Sequence, residues 1–167
     1  MKIKVLILSI IALLAVQNAN AQLEKHQAMF IYNFTKLIHW PGLENQLVFR
    51  IGVIGKNEPI TAALLADMEN RNVAGKPIEI VEFESLDNLV ACHILFVPNN
   101  RMSYLRRAAR TLLGVSVLIV TEAQDFMPAE SGINIYVDNE RMVYKLNQKR
   151  TEEARLVLSR QIISNSR

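Results

Sequence analysis

Three apolar runs rich in β-branched residues limit the folds open to this chain: Leu47 to Gly55 (LVFRIGVIG), His93 to Val97 (HILFV) and Val115 to Thr121 (VSVLIVT). Runs this continuous leave no wet face, so they read as strands buried on both sides, the habit of parallel sheets. Parallel neighbours need long crossover connections, usually helices. The intervening sequence supplies them. Ile60, Leu64 and Met68 recur at helical spacing behind Pro59, which suits a first helical turn. Met102 to Leu113 reads as a helix that carries Arg106, Arg107 and Arg110 outward and stops at Gly114. Gly75-Lys76-Pro77 is a turn before an alternating strand, Ile78 to Phe83, and Ser85 can cap a helical turn over Leu86 to Val90. Ile133 to Val137 and Met142 to Leu146, split by Asp138-Asn139-Glu140-Arg141, read as a β-hairpin. Asn147 can cap a terminal helix over Lys149 to Ser164. The expected fold is α/β: a three-layer sandwich with a mixed, mainly parallel sheet, a C-terminal β-hairpin and a terminal helix.

The stretch from Ala28 to Pro41 (AMFIYNFTKLIHWP) adds a helix before the first strand. Phe30, Phe34, Leu37 and Ile38 form one apolar stripe, extended backwards by Leu23, while Asn33, Lys36, His39 and Trp40 fall elsewhere on the wheel. Pro41 ends the helix, because the residue before a proline avoids the helical region.

Ahead of it, Lys2 and Lys4, the apolar run Val5 to Val16 and the small residues of Ala19-Asn20-Ala21 form a cleavable export signal. That run falls short of the about 20 apolar residues of a bilayer span. Cutting after Ala21 leaves residues 22–167, enough for one domain with a proper core. It also removes Lys2 and Lys4, so the 19 basic residues of the whole chain fall almost into balance with its 16 acidic ones. A domain so nearly neutral lacks the basic footprint of a nucleic-acid binder. Cys92 is the single cysteine and closes no internal disulfide. It stands at the start of an apolar strand and reads as a small core residue.

Chemistry-bearing patterns are sparse. Gly52-Val53-Ile54-Gly55-Lys56-Asn57 follows a strand, but two residues separate its glycines where a phosphate loop has four, and Asn57 stands where Ser or Thr is needed. It reads as a plain strand-to-helix turn. His26, His39 and His93 have no His or Cys partner at helical metal spacing, and adjacent Cys92 and His93 point to opposite faces of a strand. A Gly-x-Ser-x-Gly elbow is missing. No catalytic residue, cofactor site or metal site is expected, and the chain does not read as an enzyme. Arg101, Arg106, Arg107 and Arg110 make a basic face, which reads first as solvated surface and second as a contact for an acidic partner or lipid headgroups.

Several ordered pieces resemble the YfiR family of periplasmic regulators: Tyr32-Asn33-Phe34 in a helix ending at Trp40-Pro41, Phe49 to Gly55, Val73 to Ile78, Cys92 to Phe96, Leu118 to Thr121 with Phe126, and Gly132 to Ile135 leading to Tyr144-Lys145-Leu146-Asn147. The resemblance covers Leu23 to Ile163. It implies a soluble periplasmic α/β protein without enzymatic activity. In the best-understood relatives, such a protein represses a membrane-bound diguanylate cyclase by engaging its periplasmic region, and redox-sensitive disulfides and dimers belong to that picture. Cys92 matches a family cysteine, but no partner cysteine accompanies it, so internal redox control does not carry over.

Two functions follow as expectations. One is a non-enzymatic regulator bound to a membrane signalling protein, in the resemblance's terms a diguanylate cyclase, and itself forming a homodimer. The other is a periplasmic small-molecule binding protein with its ligand near Gly55, Pro98 and Thr121, at the carboxyl ends of the parallel strands. For the first, the terminal helix offers an interface. Ala154, Leu158 and Ile162 form one face, and Leu156 and Ile163, seven apart, align nearly opposite it and call for cover by a partner. Tyr32, Thr35 and His39, opposite the first helix's stripe, are further candidates for partner contact.

Overall fold

The computed structural model describes residues 22–89 and 92–167; the expected export signal, and the expected end of a helical turn at Val90, lie outside them. Helix α1 covers residues 22–37. The elements that follow are β1 (Ile38–His39), β2 (Phe49–Ile54), α2 (Pro59–Met68), β3 (Asn72–Val73), β4 (Lys76–Phe83), β5 (Ile94–Val97), α3 (Leu105–Thr111), β6 (Leu118–Thr121), β7 (Ile133–Asp138), β8 (Arg141–Leu146), α4 (Gln148–Glu153), β9 (Val157–Leu158) and α5 (Arg160–Ser164). Short 3-10 turns stand at Leu43–Asn45, Leu86–Asn88 and Asn99–Tyr104.

Seven strands form one mixed sheet in the order β3-β4-β2-β5-β6-β7-β8. Strands β4, β2, β5, β6 and β7 run parallel, and β3 and β8 add antiparallel edges. The three apolar runs occupy the middle. Every residue of β5 and β6 is buried, and so is β2 apart from Arg50. Burial on both faces needs cover on both faces, and two apolar layers supply it. One packs α1, α2 and the C-terminal segment through Phe34, Leu64, Leu156 and Ile162. The other packs α3 and the Leu86 turn through Leu105, Ala108 and Leu112. That is the three-layer sandwich.

Local chemistry sets several boundaries. Asn147 caps α4 by accepting the Arg150 amide at 3.2 Å, Ser85 caps its turn, and Pro59 opens α2. Asn139 and Glu140, at φ 48° and 62°, form the tight hairpin turn whose twist matches that of the strands. The loop between β6 and β7 is tied down by Asn134, whose side chain bonds the amide and the carbonyl of Ala123 at 2.8 and 2.7 Å.

Three expectations are corrected. The terminal helix is not continuous over Lys149 to Ser164. Arg155 takes φ 57°, its amide donates to Glu152 O, and the Leu156 amide donates to Thr151 O. This is a Schellman stop, in which a left-handed residue ends the helix. The break turns Leu156 inward, to 5% exposure in the core, while Ile163 stays 38% exposed on α5. The two share no helical face. Second, the first helix stops at residue 37, because Ile38 and His39 pair as a strand with Leu158 and Val157, and the Ser159 amide bonds Leu37 O. Trp40 therefore lies beyond the helix and off its wheel, and it is core, 1% exposed. Third, Met102 to Leu113 divides into the Asn99–Tyr104 turn and the shorter α3.

Candidate functional site

Chain order reverses between β2 and β5, and the crevice beyond their carboxyl ends is where open α/β sheets bind ligands. Here protein side chains occupy it. Glu58 is buried and lies over Gly55, where an added Cβ would collide with Glu58 Oε1. Its carboxylate accepts Arg101 Nε at 2.7 Å and Asn100 Nδ2 at 3.2 Å. Glu122, at the end of β6, accepts the Asn99 amide at 2.8 Å and the side chain of Gln27 from α1. Glu82 caps α2 by accepting Thr61 Oγ1 at 2.6 Å and the Glu58 amide. Burial alone would raise the Glu82 pKa, but these bonds outweigh it and hold the carboxyl below its ordinary value. The place that the sequence nominates for a small ligand is thus bridged by the chain's own ion pair. Glu58 was missed by sequence reading, because nothing local marks its partner 43 residues away.

At the opposite ends of the strands, Trp40 Nε1 donates to His93 O at 2.8 Å, and Phe49 stacks on the His93 ring at 4.6 Å. His93 Nδ1 accepts the Arg50 amide at 2.9 Å. Burial pushes the His93 pKa below its usual range. Cys92 is a core residue with 3% exposure, and burial pushes its thiol up to about 12. A buried neutral thiol is a poor nucleophile. An alkylating reagent at about pH 8 is expected to spare Cys92 in the folded protein and to label it in denaturant. Intact-mass spectrometry reads the difference. Labelling of the folded chain at the unfolded rate would place the thiol at the surface.

The expected interface residues scatter. Tyr32 is half-buried on α1, with Lys36 Nζ and the Arg71 guanidinium each 4.3 Å from its ring centroid. Thr35 is buried and its hydroxyl donates to Tyr32 O. His39 is exposed on β1, opposite Val157, which is itself 59% exposed. Leu156 belongs to the core. The basic face is dispersed as well: Arg101 turns to Glu58, Arg106 to Glu130 and Arg107 to Asp87.

A different surface stands out. Between α1 and α5, alongside β8, lies a groove of about 610 Å³. Phe30, Phe34 and Tyr144 line it with edge-to-face ring contacts at centroid distances of 5.2 to 6.1 Å. Tyr144 OH donates to Ile162 O at 2.7 Å and pins the C-terminal segment to the sheet. Sequence periodicity could identify the aromatic stripe on α1, but not the strand it meets.

Residues 24–167 match the family described as YfiR/HmsC-like. The chain belongs to this family. The match takes in every described element but the first residues of α1. The family is one of periplasmic regulators, associated with partner signalling proteins of the membrane. No curated protein matches the chain. Among the described residues, no helix is long and apolar enough to cross a membrane, and no three His, Cys, Asp or Glu side chains converge as a metal site would require.

Proposed function

We propose that this YfiR/HmsC-like protein is a non-enzymatic periplasmic regulator that restrains a membrane-bound diguanylate cyclase by binding its periplasmic region. The observation that carries this reading is the family match over residues 24–167. The switch-point crevice supports protein binding over ligand binding, because Glu58, Arg101 and Glu122 occupy it. In this reading residues 1–21 are an export signal cut after Ala21, residues 22–167 act as one domain, and the mature chain forms a homodimer. His39, Tyr32 and Ile163 remain separate candidates for partner contact, and Leu156, buried in the core, is not among them.

Deleting the gene is expected to raise cellular cyclic di-GMP. The full chain should restore the low level, and a version lacking residues 1–21 should not. Intact-mass spectrometry of the exported protein should read a chain starting at Gln22, and light scattering should read a dimer. Unchanged cyclic di-GMP in the deletion strain, with no cyclase co-purifying from solubilised membranes, would overturn the regulatory reading.

A further inference from the structure

Strand β8 is one of the two edges of the seven-stranded sheet. Which of its main-chain groups face outward follows from the hairpin. Asp138 and Arg141 flank a two-residue turn and face each other directly. Such a pair exchanges both hydrogen bonds, and bonded pairs then alternate with unbonded ones along the ladder. The bonded partners on β8 are therefore Arg141, Val143 and Lys145. The next pair in that alternation is seen directly, as the Asn147 amide donates to Gly132 O at 2.8 Å. Met142, Tyr144 and Leu146 consequently aim their N–H and C=O groups out of the sheet. Among the described residues, Arg167 alone pairs with this edge, its amide donating to Tyr144 O at 3.0 Å. Its guanidinium pairs with Asp138. One strand-type bond is thus already made there, and an added strand would take the place of Arg167 on Tyr144 O.

The side chains define what could extend it. Met142, Tyr144 and Leu146 face the apolar layer, and the 610 Å³ groove opens beside the first two. Arg141, Val143 and Lys145 alternate onto the other face, where Arg141 is exposed and Lys145 Nζ stands 5.0 Å from the Tyr136 ring. We propose that β8 accepts an extended segment of a protein partner as an added strand, one in which apolar residues entering the groove alternate with acidic residues facing Arg141 and Lys145. Added strands gain affinity from main-chain bonds and specificity from alternate side chains. A second copy fits poorly. Pairing two β8 edges would gather Arg141 and Lys145 of both chains on one face, and like charges across a ladder repel. The proposal rests on the regulator reading and gives the partner's segment a chemical form.

The test uses the mature chain and a fluorescent synthetic peptide of about ten residues alternating valine and glutamate, long enough to span β8. Saturable binding is expected, with slowed amide exchange at Met142, Tyr144 and Leu146 and no change at Val143 and Lys145. Met142→Pro removes one outward N–H and leaves the β7 ladder intact, so it should weaken binding about tenfold. Arg141→Glu with Lys145→Glu, the first exposed and the second half-buried, should weaken it too and favour a valine–lysine peptide; this pair carries the test if circular dichroism shows the proline variant unfolded. No binding, binding indifferent to both changes, or dimerisation that slows the same amides without peptide would each overturn the proposal. The peptide assay reads the edge alone and cyclic di-GMP reads the regulator role alone, so either can fail without the other.

Discussion

Replacing Trp40 with alanine is expected to cost about 3–5 kcal/mol, the range for a large aromatic taken from a core. The indole is 1% exposed, meets Phe49 edge-to-face at 5.0 Å and donates to His93 O. That carbonyl also accepts the Leu118 amide at 2.9 Å, so it keeps a partner when the indole is gone. The loss is then mainly cavity and ring contact, with about 1 kcal/mol from the hydrogen bond. Trp40→Phe separates the two, because it keeps most of the ring and removes the donor; it should be much the milder change. Circular dichroism in urea measures both. Fluorescence does not serve, since Trp40 is the only tryptophan. Equal midpoints for Trp40→Ala and the parent would place the indole outside the cooperative core.

Phe34→Ala carries a similar expected cost of about 3–5 kcal/mol. Typical domains are stable by about 5–15 kcal/mol, so either change removes a large share. Phe34 is 2% exposed and its ring meets Tyr144 at 5.2 Å and Phe30 at 6.1 Å. Tyr144 in turn holds Ile162 O. The alanine should therefore loosen the C-terminal segment as well as α1, and amide exchange in α5 should quicken before global unfolding. Tyr144→Phe, which loses only the hydroxyl bond, should cost about 1 kcal/mol. A Phe34→Ala protein with the parent's urea midpoint would show that α1 is not part of the cooperative unit.

These residues also show what could be read in advance. Phe34 is legible because periodicity is a property of nearby residues: apolar side chains at helical spacing must share a face, and that face must be buried. Trp40 follows the same helix and falls off that stripe on the wheel. It is buried because the helix ends earlier than Pro41 demands, when Leu37 O takes the Ser159 amide and Ile38 pairs with Leu158. That pairing joins residues more than a hundred positions apart, and no local pattern carries it.

The same division runs through the candidate surfaces. Leu156 and Ile163 align only on an unbroken helix. Arg155 breaks it from the left-handed region without the glycine that usually announces such a stop. Glu58 and Arg101 each look like surface charge until the strand order brings their loops together at one crevice. The outward main-chain groups of β8 depend partly on sequence, through the two-residue turn at Asn139 and Glu140, and partly on the sheet order that leaves this strand last.

By itself the sequence determined the α/β class, the buried central strands, the hairpin and the caps at Pro59, Ser85 and Asn147, because each rests on burial periodicity or on bonds between near neighbours. Only the tertiary structure decided where α1 and the terminal helix stop, that Trp40 and Leu156 are core, that Glu58 and Arg101 bridge the switch point, and which strands stand at the edges. Those outcomes are settled by contacts between distant segments, whose energies exceed the weak local preferences of the residues involved.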